Sequence, residues 1–398
     1  MMMKKKEDRA YSKKRSKIIV KQNEKEIIWE PNSGNDLKLR AITESLQILS
    51  PEGKIEARKI PEITNERLLS AYRNMLLTRM LDERLVSLQR QGRLGTYVAC
   101  SGQEASQIGC VMAISQKDWI FPMYRDTGMI IEMGVPLETL LNRLFGNSQD
   151  DALGRDLPNL YGWKRYRIAS FAAPIASHVP LAVGFALAAK IRGDDLVTLT
   201  TFGDGATSSG EFHSAMNFAG VFKAPTVFVC ENNQYAISVP VERQTASSSI
   251  AIKAAAYGFE GVRVDGNDLF AVYSTVKDAV NKARKESLPT LVECVTYRLQ
   301  SHSTADDWKR YRSAEEVERW RHLDPLKRLR LYMQNVRKIW SEEKEVKLRE
   351  ELEGTLSSTI SKVAAIPPPK MKTMFEDVYS EMPWNLKEGL EELEELEK

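Results

Sequence analysis

Two short polar motifs lie directly after two consecutive predicted strands, and their residue types suit a metal ion and a phosphate. Gly-Asp-Gly at 203–205 follows the β-branched and aromatic run 196–202, and Asn-Asn at 232–233 follows the similar run 226–230. Because open α/β sheets bind ligands at the carboxyl ends of their strands, Asp204 and the asparagine amide oxygens are expected on one rim. One carboxylate, one amide oxygen and backbone carbonyls suit Mg²⁺, which takes further ligands from water and phosphate. The two motifs therefore predict an anchored phosphate.

The glycine turn has two rival interpretations as a nucleotide site. A dinucleotide site needs G-x-G-x-x-G and an acidic residue at the end of the next strand. Glu231 does end that strand, but the third glycine, Gly210, comes two positions too late. A nucleoside-triphosphate loop needs G-K-[ST], and no lysine lies between Gly203 and Lys223. A tight turn without a ligand is the remaining alternative for a lone G-x-G, and the paired Asn-Asn motif argues against it.

The composition is that of an ordinary globular chain. Its 398 residues are 42% hydrophobic and 28% charged, and the formal net charge of +3 is too small to indicate a polyanion partner. The four cysteines are scattered without a C-x-x-C pair, which predicts buried thiols in a reducing compartment and neither a zinc site nor a disulfide framework. The sequence contains no long apolar run and no signal-peptide core, so we expect a cytoplasmic protein without a membrane span.

Lysine and arginine crowd residues 4–17. This segment is interpreted as a solvated, disordered tail, with a nucleic-acid or membrane arm as the alternative. Its lysine richness and the lack of an Arg/Ser amphipathic pattern argue against a mitochondrial transit peptide. We predict three regions: a basic, partly disordered arm over 1–60, an α/β domain over 61–312, and a helical extension over 313–398 that packs on the domain or on a partner.

Helical and strand patterns alternate along the rest of the chain. Thr64 is a suitable N-cap for a helix that runs to Gly92, and S-x-x-E at 101–104 predicts a capping box at the start of another helix. The alternation predicts right-handed crossovers and a doubly wound, mainly parallel α/β sheet flanked by helices. Further segments are predicted as helices at 181–191, 211–222, 247–257 and 268–285, strands at 262–265 and 290–296, a loop at 142–163, and an acidic helix from Asn385.

Five segments together carry a family resemblance. They are YRDTGM at 124–129, GDGATSSGEFH at 203–213, ENNQYAISVP at 231–240, VDGND at 264–268 and YRLQSHSTADD at 297–307. Gly-Asp-Gly followed by Asn-Asn after the next strand is similar to the thiamine diphosphate signature. The five segments resemble the α subunit of the thiamine diphosphate-dependent 2-oxoacid dehydrogenase first enzyme, the decarboxylating component, and are closest to its branched-chain type. The resemblance covers nearly the whole chain after about residue 60.

The resemblance implies cofactors, a substrate class and an assembly. The implied cofactors are thiamine diphosphate and Mg²⁺, and the implied substrates are branched-chain 2-oxoacids, with pyruvate or acetoin as alternatives. The implied partners are a β subunit, in an α₂β₂ heterotetramer, and a lipoyl-bearing acyltransferase core that accepts the acyl group. Such enzymes also use a glutamate on the cofactor's aminopyrimidine ring. This sequence has no clear counterpart for it, so we expect the chain to be active only with the β subunit.

The resemblance also assigns roles to individual residues. It implies the side chains of Asp204 and Asn233 and the carbonyl of Tyr235 as metal ligands. It places Tyr124 and Arg125 on the diphosphate, where a guanidinium fork suits phosphate oxygens. The full set implied to bind the cofactor is Tyr124, Arg125, Ala173, Ile175, Gly203, Asp204, Gly205, Ala206, Asn233, Tyr235 and His302.

Three of these implied contacts have a more specific form. The backbone around Ala173 and Ile175 is implied to face the aminopyrimidine, and the Ile175 side chain to form a wall that bends the cofactor. His302 is implied as a catalytic residue that hydrogen-bonds a phosphate over the active-site mouth. A surface ion pair for Arg125 and an exposed position for His302 are the alternatives. His178 is predicted to be a packing residue at a helix start.

Two positions depart from the family pattern. Ser209 stands where relatives usually have glutamate, and Glu231 where many have glutamine or arginine. An acid beside a diphosphate is unfavourable unless it points away or is paired, so these positions bear on cofactor affinity.

Two alternatives of another class are a dinucleotide-binding protein and a nucleic-acid-binding protein that uses the basic arm.

Overall fold

The computed structural model describes residues 27–29, 39–41, 45–57 and 60–396. The lysine-rich stretch at 4–17 and most of the predicted arm over 1–60 lie outside the described residues. Within the described part of the chain, none of the helices combines the length and the apolar composition that a bilayer span requires.

A five-stranded parallel sheet forms the centre of the structure. The strands of the chain are β1 (Ile27–Trp29), β2 (Leu39–Ala41), β3 (Trp119–Phe121), β4 (Thr198–Gly203), β5 (Thr226–Asn232), β6 (Tyr235–Ala236), β7 (Val239–Pro240), β8 (Glu260–Asp265) and β9 (Thr290–Val295). The central sheet has the order β3-β4-β5-β9-β8, and all its neighbours are parallel. Two small antiparallel pairs, β1 with β2 and β6 with β7, lie outside it. The predicted α/β class with a mainly parallel sheet is confirmed.

Helices cover both faces of this sheet. They are α1 (Asn65–Arg90), α2 (Glu104–Ala113), α3 (Thr127–Glu132), α4 (Leu137–Phe145), α5 (His178–Arg192), α6 (Gly210–Phe222), α7 (Leu269–Glu286), α8 (Ala314–His322), α9 (Pro325–Asn335), α10 (Glu342–Ala364), α11 (Thr373–Glu376) and α12 (Trp384–Leu396). Short 3-10 helices at Asp204–Ser208, Val241–Arg243 and Ala251–Tyr257 border the carboxyl edge of the sheet or its flanking layer.

The alternating side chains of β5 show how the layers are held together. Val227 and Val229 point into the larger core, which α1, α2 and α7 share, whereas Phe228 and Cys230 point into the core beneath α5 and α6. A strand buried on both faces reads as a continuous apolar run, which is why the sequence 226–230 shows no polar alternation. The helices α9 and α10 pack on α1, and Tyr72 donates a 2.7 Å hydrogen bond to Glu345 across that contact.

Three local predictions are wrong, each for an identifiable reason. Ser101 does not cap α2, because its hydroxyl donates to the buried Asp82 carboxylate, and Gln103 is the N-cap without a side-chain bond. The predicted helix over 247–257 is a 3-10 helix that begins only at Ala251. The predicted loop over 142–163 begins later, because α4 continues through Phe145. The N-cap at Thr64 is confirmed, since its hydroxyl accepts the Arg67 N–H at 3.2 Å.

Asp268 fastens the start of α7 to a segment more than 200 residues earlier in the chain. One carboxylate oxygen accepts the N–H groups of Ile48 and Leu49 at 2.7 and 2.6 Å. The other caps the helix by accepting the N–H groups of Phe270 and Ala271 at 2.9 and 3.2 Å. Four backbone donors therefore depend on one buried side chain.

We predict that Asp268→Ala destabilises the protein by on the order of 3 kcal/mol, because the change leaves buried N–H groups without an acceptor. Thermal unfolding of the variant measures the loss. Asp278→Ala, on the exposed face of the same helix, is the matched control and should stay within about 0.5 kcal/mol of the parent. Equal melting temperatures for the two variants would contradict the role assigned to Asp268.

Candidate active site

A cavity of about 440 Å³ opens at the carboxyl ends of β4 and β5. Ten of the eleven residues predicted to bind the cofactor line it, namely Tyr124, Arg125, Ile175, Gly203, Asp204, Gly205, Ala206, Asn233, Tyr235 and His302. Ala173 is exposed and does not line the cavity, so its predicted role rests on the resemblance alone.

Asp204 brings a buried carboxylate to the floor of this cavity. It follows the last residue of β4, begins the 3-10 helix, and is 1% exposed. Its Oδ2 accepts a 2.5 Å hydrogen bond from Gln244 Nε2. Burial raises the pKa of Asp204, while the Gln244 hydrogen bond and the charge of Arg298 oppose that rise. A cation beside this buried carboxylate would stabilise its charged form.

Asn232 ends β5 and Asn233 follows it, and of these two asparagines only Asn233 lines the cavity. Its Nδ2 donates to Gln103 Oε1 at 3.3 Å, and its Oδ1 accepts the Tyr235 N–H at 3.4 Å. Asn232 instead donates from Nδ2 to Glu293 at 2.8 Å. The expectation that both amide oxygens share the rim is therefore wrong, because successive residues of a strand point to opposite faces.

Arg298 is a cavity residue that the sequence analysis did not single out. Its guanidinium donates to the carbonyls of Tyr235 and Ile237 at 2.9 and 2.6 Å, so it holds the segment with the predicted third metal ligand. Burial, followed by the charge of Arg125, lowers the pKa of Arg298 to about 10. The sequence did carry a signal, since Arg298 follows β9, whose carboxyl end borders that of β5.

Arg125 is buried at 2% exposure, and the predicted alternative of a surface ion pair is wrong. Its Nη1 donates to the Ala99 carbonyl, and its Nη2 lies 3.2 Å from both the carbonyl and Nδ1 of His302. Across the described residues, no carboxylate lies within ion-pair distance of this guanidinium. The Tyr124 ring lies beside it, with its centroid 5.3 Å from the guanidinium carbon. A buried cation held only by neutral acceptors suits an anionic ligand.

Both histidines of the cavity are held neutral. Burial, followed by the charges of Arg125 and Arg298, lowers the pKa of His302 to about 3. Since Arg125 can only donate, His302 Nδ1 is the acceptor and the ring proton sits on Nε2. Burial lowers the pKa of His178 to about 4, and its Nε2 donates to the Thr201 carbonyl at 2.7 Å.

Residues 72–372 match the family model described as dehydrogenase E1 component. The chain belongs to the dehydrogenase E1 component family. The resemblance stated from the sequence is thereby confirmed, as is the enzyme class. This E1 family depends on thiamine diphosphate.

Relatives of known name align with most of this chain. The 3-methyl-2-oxobutanoate dehydrogenase subunit alpha of Mycobacterium tuberculosis (strain ATCC 25618 / H37Rv) is 40% identical over 355 residues, 88% of this chain and 93% of the relative. The mitochondrial 2-oxoisovalerate dehydrogenase subunit alpha of Homo sapiens is 36% identical over 349 residues, 87% of this chain and 78% of the relative. The pyruvate dehydrogenase E1 component subunit alpha of Bacillus cereus is 38% identical over 367 residues, 91% of this chain and 96% of the relative.

The two departures from the E1 pattern are accommodated locally. Glu231 points away from the cavity, where it accepts hydrogen bonds from Ser106 at 2.6 Å and Gln107 at 3.4 Å. Burial, followed by the nearby Asp126, raises the pKa of Glu231 well above its usual range. Ser209 lines the cavity and caps α6 by accepting the Phe212 N–H at 3.3 Å. Neither position therefore places a carboxylate toward a ligand of this cavity.

The atoms that could coordinate a metal ion in this cavity determine which cation fits there. Within the described residues, no group of three or more His, Cys, Asp or Glu side chains is placed to hold a metal ion. Among the described residues, Asp204 is the one carboxylate that lines the cavity. A cation there needs amide, carbonyl, water and phosphate oxygens, which is the coordination that Mg²⁺ takes with a phosphorylated ligand. The open side of Gly203, where an added Cβ would meet nothing within 4 Å, leaves room for such a ligand.

We predict that His178 and His302 stay neutral as the pH falls to about 5, because both pKa values lie well below the ordinary 6.5. The unfolded chain takes up these protons near pH 6.5, so both groups make the folded state less stable as the pH falls below that value. Histidine C–H resonances measure the titration, and His178→Gln and His302→Gln assign them among the four histidines. Titration of either ring near 6.5 would show that its surroundings are wrongly described.

Proposed function

We propose that this chain is the α subunit of a 2-oxoacid dehydrogenase E1 enzyme that decarboxylates branched-chain 2-oxoacids. The observation that carries the proposal is the cavity in which a buried carboxylate, an amide side chain and a buried guanidinium converge, from Asp204, Asn233 and Arg125. The 40% identity to a 3-methyl-2-oxobutanoate dehydrogenase subunit alpha supports the substrate class. The 38% identity to a pyruvate dehydrogenase subunit keeps pyruvate as the second candidate.

The proposed cofactors are thiamine diphosphate and Mg²⁺. Asp204, Asn233 and the Tyr235 carbonyl would hold the cation, which in turn would hold the diphosphate. When bound, thiamine diphosphate supplies the nucleophilic carbon that attacks the 2-oxo carbon and the ring that takes up the electrons left as CO₂ departs. The Tyr235 carbonyl already accepts one hydrogen bond from Arg298, and its second lone pair can coordinate a cation.

The remaining polar residues would bind and orient the diphosphate. Arg125 offers a permanent positive charge in a buried setting, where its attraction for phosphate is little screened. Because His302 stays neutral and carries its proton on Nε2, it can donate one hydrogen bond and add no charge. We assign His302 to holding a phosphate oxygen at the cavity mouth, with Arg125 fixing its tautomer.

The apolar residues at the mouth support a covering partner. Ile175 is 47% and Ile237 56% exposed although both line the cavity. Large apolar side chains in water at a ligand site are typical of a surface that another chain covers. We propose that a β subunit covers them in an α₂β₂ heterotetramer and supplies the glutamate for the aminopyrimidine.

The rest of the assembly follows from the same family relationship. A lipoyl-bearing acyltransferase core is proposed to accept the acyl group from the assembled enzyme. We also propose the division into a basic arm over 1–60, a thiamine diphosphate-binding domain over 61–312 and a helical extension over 313–398. The extension would pack on the domain through α9 and α10 and present α12 to the β subunit. A cytoplasmic location completes the proposal.

The test is co-expression of the full chain with its β subunit and an assay of CO₂ release from 3-methyl-2-oxobutanoate and from pyruvate. We expect a higher kcat/KM for 3-methyl-2-oxobutanoate. A preference for pyruvate would select the second candidate, and an NAD-dependent rise in melting temperature without one for thiamine diphosphate plus Mg²⁺ would point to a dinucleotide site.

In the same complex, Asp204→Ala and Asn233→Ala are each predicted to lower cofactor retention and turnover by more than about 100-fold, since each removes a ligand oxygen of the cation. Retention is measured as thiamine diphosphate that stays with the complex through gel filtration in Mg²⁺. Asp194→Ala, which removes an exposed carboxylate paired with Arg192, is the control and should leave both quantities unchanged. Normal retention in both site variants would refute the proposed metal site.

A further inference from the structure

Gln244 donates a 2.5 Å hydrogen bond to the Asp204 carboxylate, and it lies outside the five segments that carry the family resemblance. It follows the 3-10 helix Val241–Arg243, which comes directly after the hairpin of β6 and β7. Its Nε2 donates one hydrogen to Asp204 Oδ2 at 2.5 Å and the other to the Val239 carbonyl at 2.9 Å. Since both partners can only accept, the amide nitrogen must face them, and the orientation of the amide is fixed.

This contact fixes one of the two carboxylate oxygens of Asp204. Oδ2 accepts the Gln244 amide hydrogen at 2.5 Å, and the backbone N–H groups of Asp204 and Asn233 also favour the charged carboxylate. A carboxylate held through one oxygen cannot rotate freely, so its other oxygen keeps a defined direction. Ligands of metal ions are commonly oriented in this way by a neighbouring hydrogen-bonding group.

The other end of the Gln244 amide supplies an independent observation. Its Oε1 is buried and has no hydrogen-bond partner in the described structure. It lies beside the glycine turn, 3.8 Å from where a Cβ on Gly205 would stand. A buried acceptor without a donor is unfavourable. Mg²⁺ keeps several of its waters in protein sites, and such waters are donors.

We propose that Gln244 is the positioning residue of the metal site: it holds Oδ2 of Asp204 so that Oδ1 is presented to the divalent cation, and its free oxygen accepts from a water of that cation. The inference rests on the proposed function and deepens it, because it names the residue that sets cation affinity. Gln244 does not line the cavity wall, and it would act on the cation through Asp204 and a water. Its removal should therefore weaken the metal more than it disturbs the fold.

The test is Gln244→Met in the complex of the full chain with its β subunit, compared with Gln89→Met. Methionine keeps the length of the side chain and removes the donor. The Gln89 side chain, on α1, donates at an exposed position to the Gly95 carbonyl at 3.4 Å. After chelation, Mg²⁺ is titrated calorimetrically at saturating thiamine diphosphate. We expect the Mg²⁺ Kd to rise about 10- to 100-fold in Gln244→Met and to stay unchanged in Gln89→Met.

The melting temperature of the ligand-free complex separates positioning from a structural role. An unchanged ligand-free melting temperature with a raised Mg²⁺ Kd supports the inference, and a parental Kd in Gln244→Met overturns it. If Gln244→Met does not fold, Gln244→Lys decides, because lysine retains donors for Asp204 and Val239 but places an ammonium where the cation is needed. A parental Mg²⁺ Kd in Gln244→Lys likewise overturns the inference. If the parent complex itself shows no Mg²⁺-dependent thiamine diphosphate binding, the proposed function has failed instead.

Discussion

Strands β4 and β5 pair in parallel, with Gly203 opposite Glu231, and this register places Asp204 beside the residues that follow β5. A shift of β5 by one residue would exchange the cores into which its side chains point and would move Asn233 relative to Asp204, because side chains alternate along a strand. The packing on both sides protects the register, since Val227 and Val229 fill one core while Phe228 and Cys230 fill the other. The chemistry of the site thus depends on a pairing that the apolar core enforces.

Near the carboxyl ends of β4 and β5 the chain buries charged side chains that have no oppositely charged partner within the described part of the chain. Among the described residues, Arg125 has only neutral acceptors and Asp204 only neutral donors, while Arg298 has carbonyls and a tyrosine hydroxyl. Burial of such groups is costly, and a cation with an anionic ligand would offset the cost at each of them. The depressed pKa values of His178 and His302 have the same origin, because a further positive charge here would be repelled and poorly hydrated.

The sequence predicted what depends on neighbouring residues and missed what depends on distant ones. The strand ends that carry Asp204 and Asn233 could be found because apolar runs and polar motifs are contiguous. Gln244 could not, since its contact with Asp204 arises only when the β6–β7 hairpin folds back over the glycine turn. The capping box at Ser101 failed for a related reason, because Asp82, on α1, competes for the same hydroxyl. Asn232 is different: strand alternation alone could have placed it on the opposite face.

The most direct test is an experimental structure of the chain with its β subunit, thiamine diphosphate and Mg²⁺. The account predicts one cation about 2.1 Å from a carboxylate oxygen of Asp204, from Asn233 Oδ1 and from the Tyr235 carbonyl, with the diphosphate against Arg125. A cation held by other residues, or a diphosphate bound outside this cavity, would contradict it.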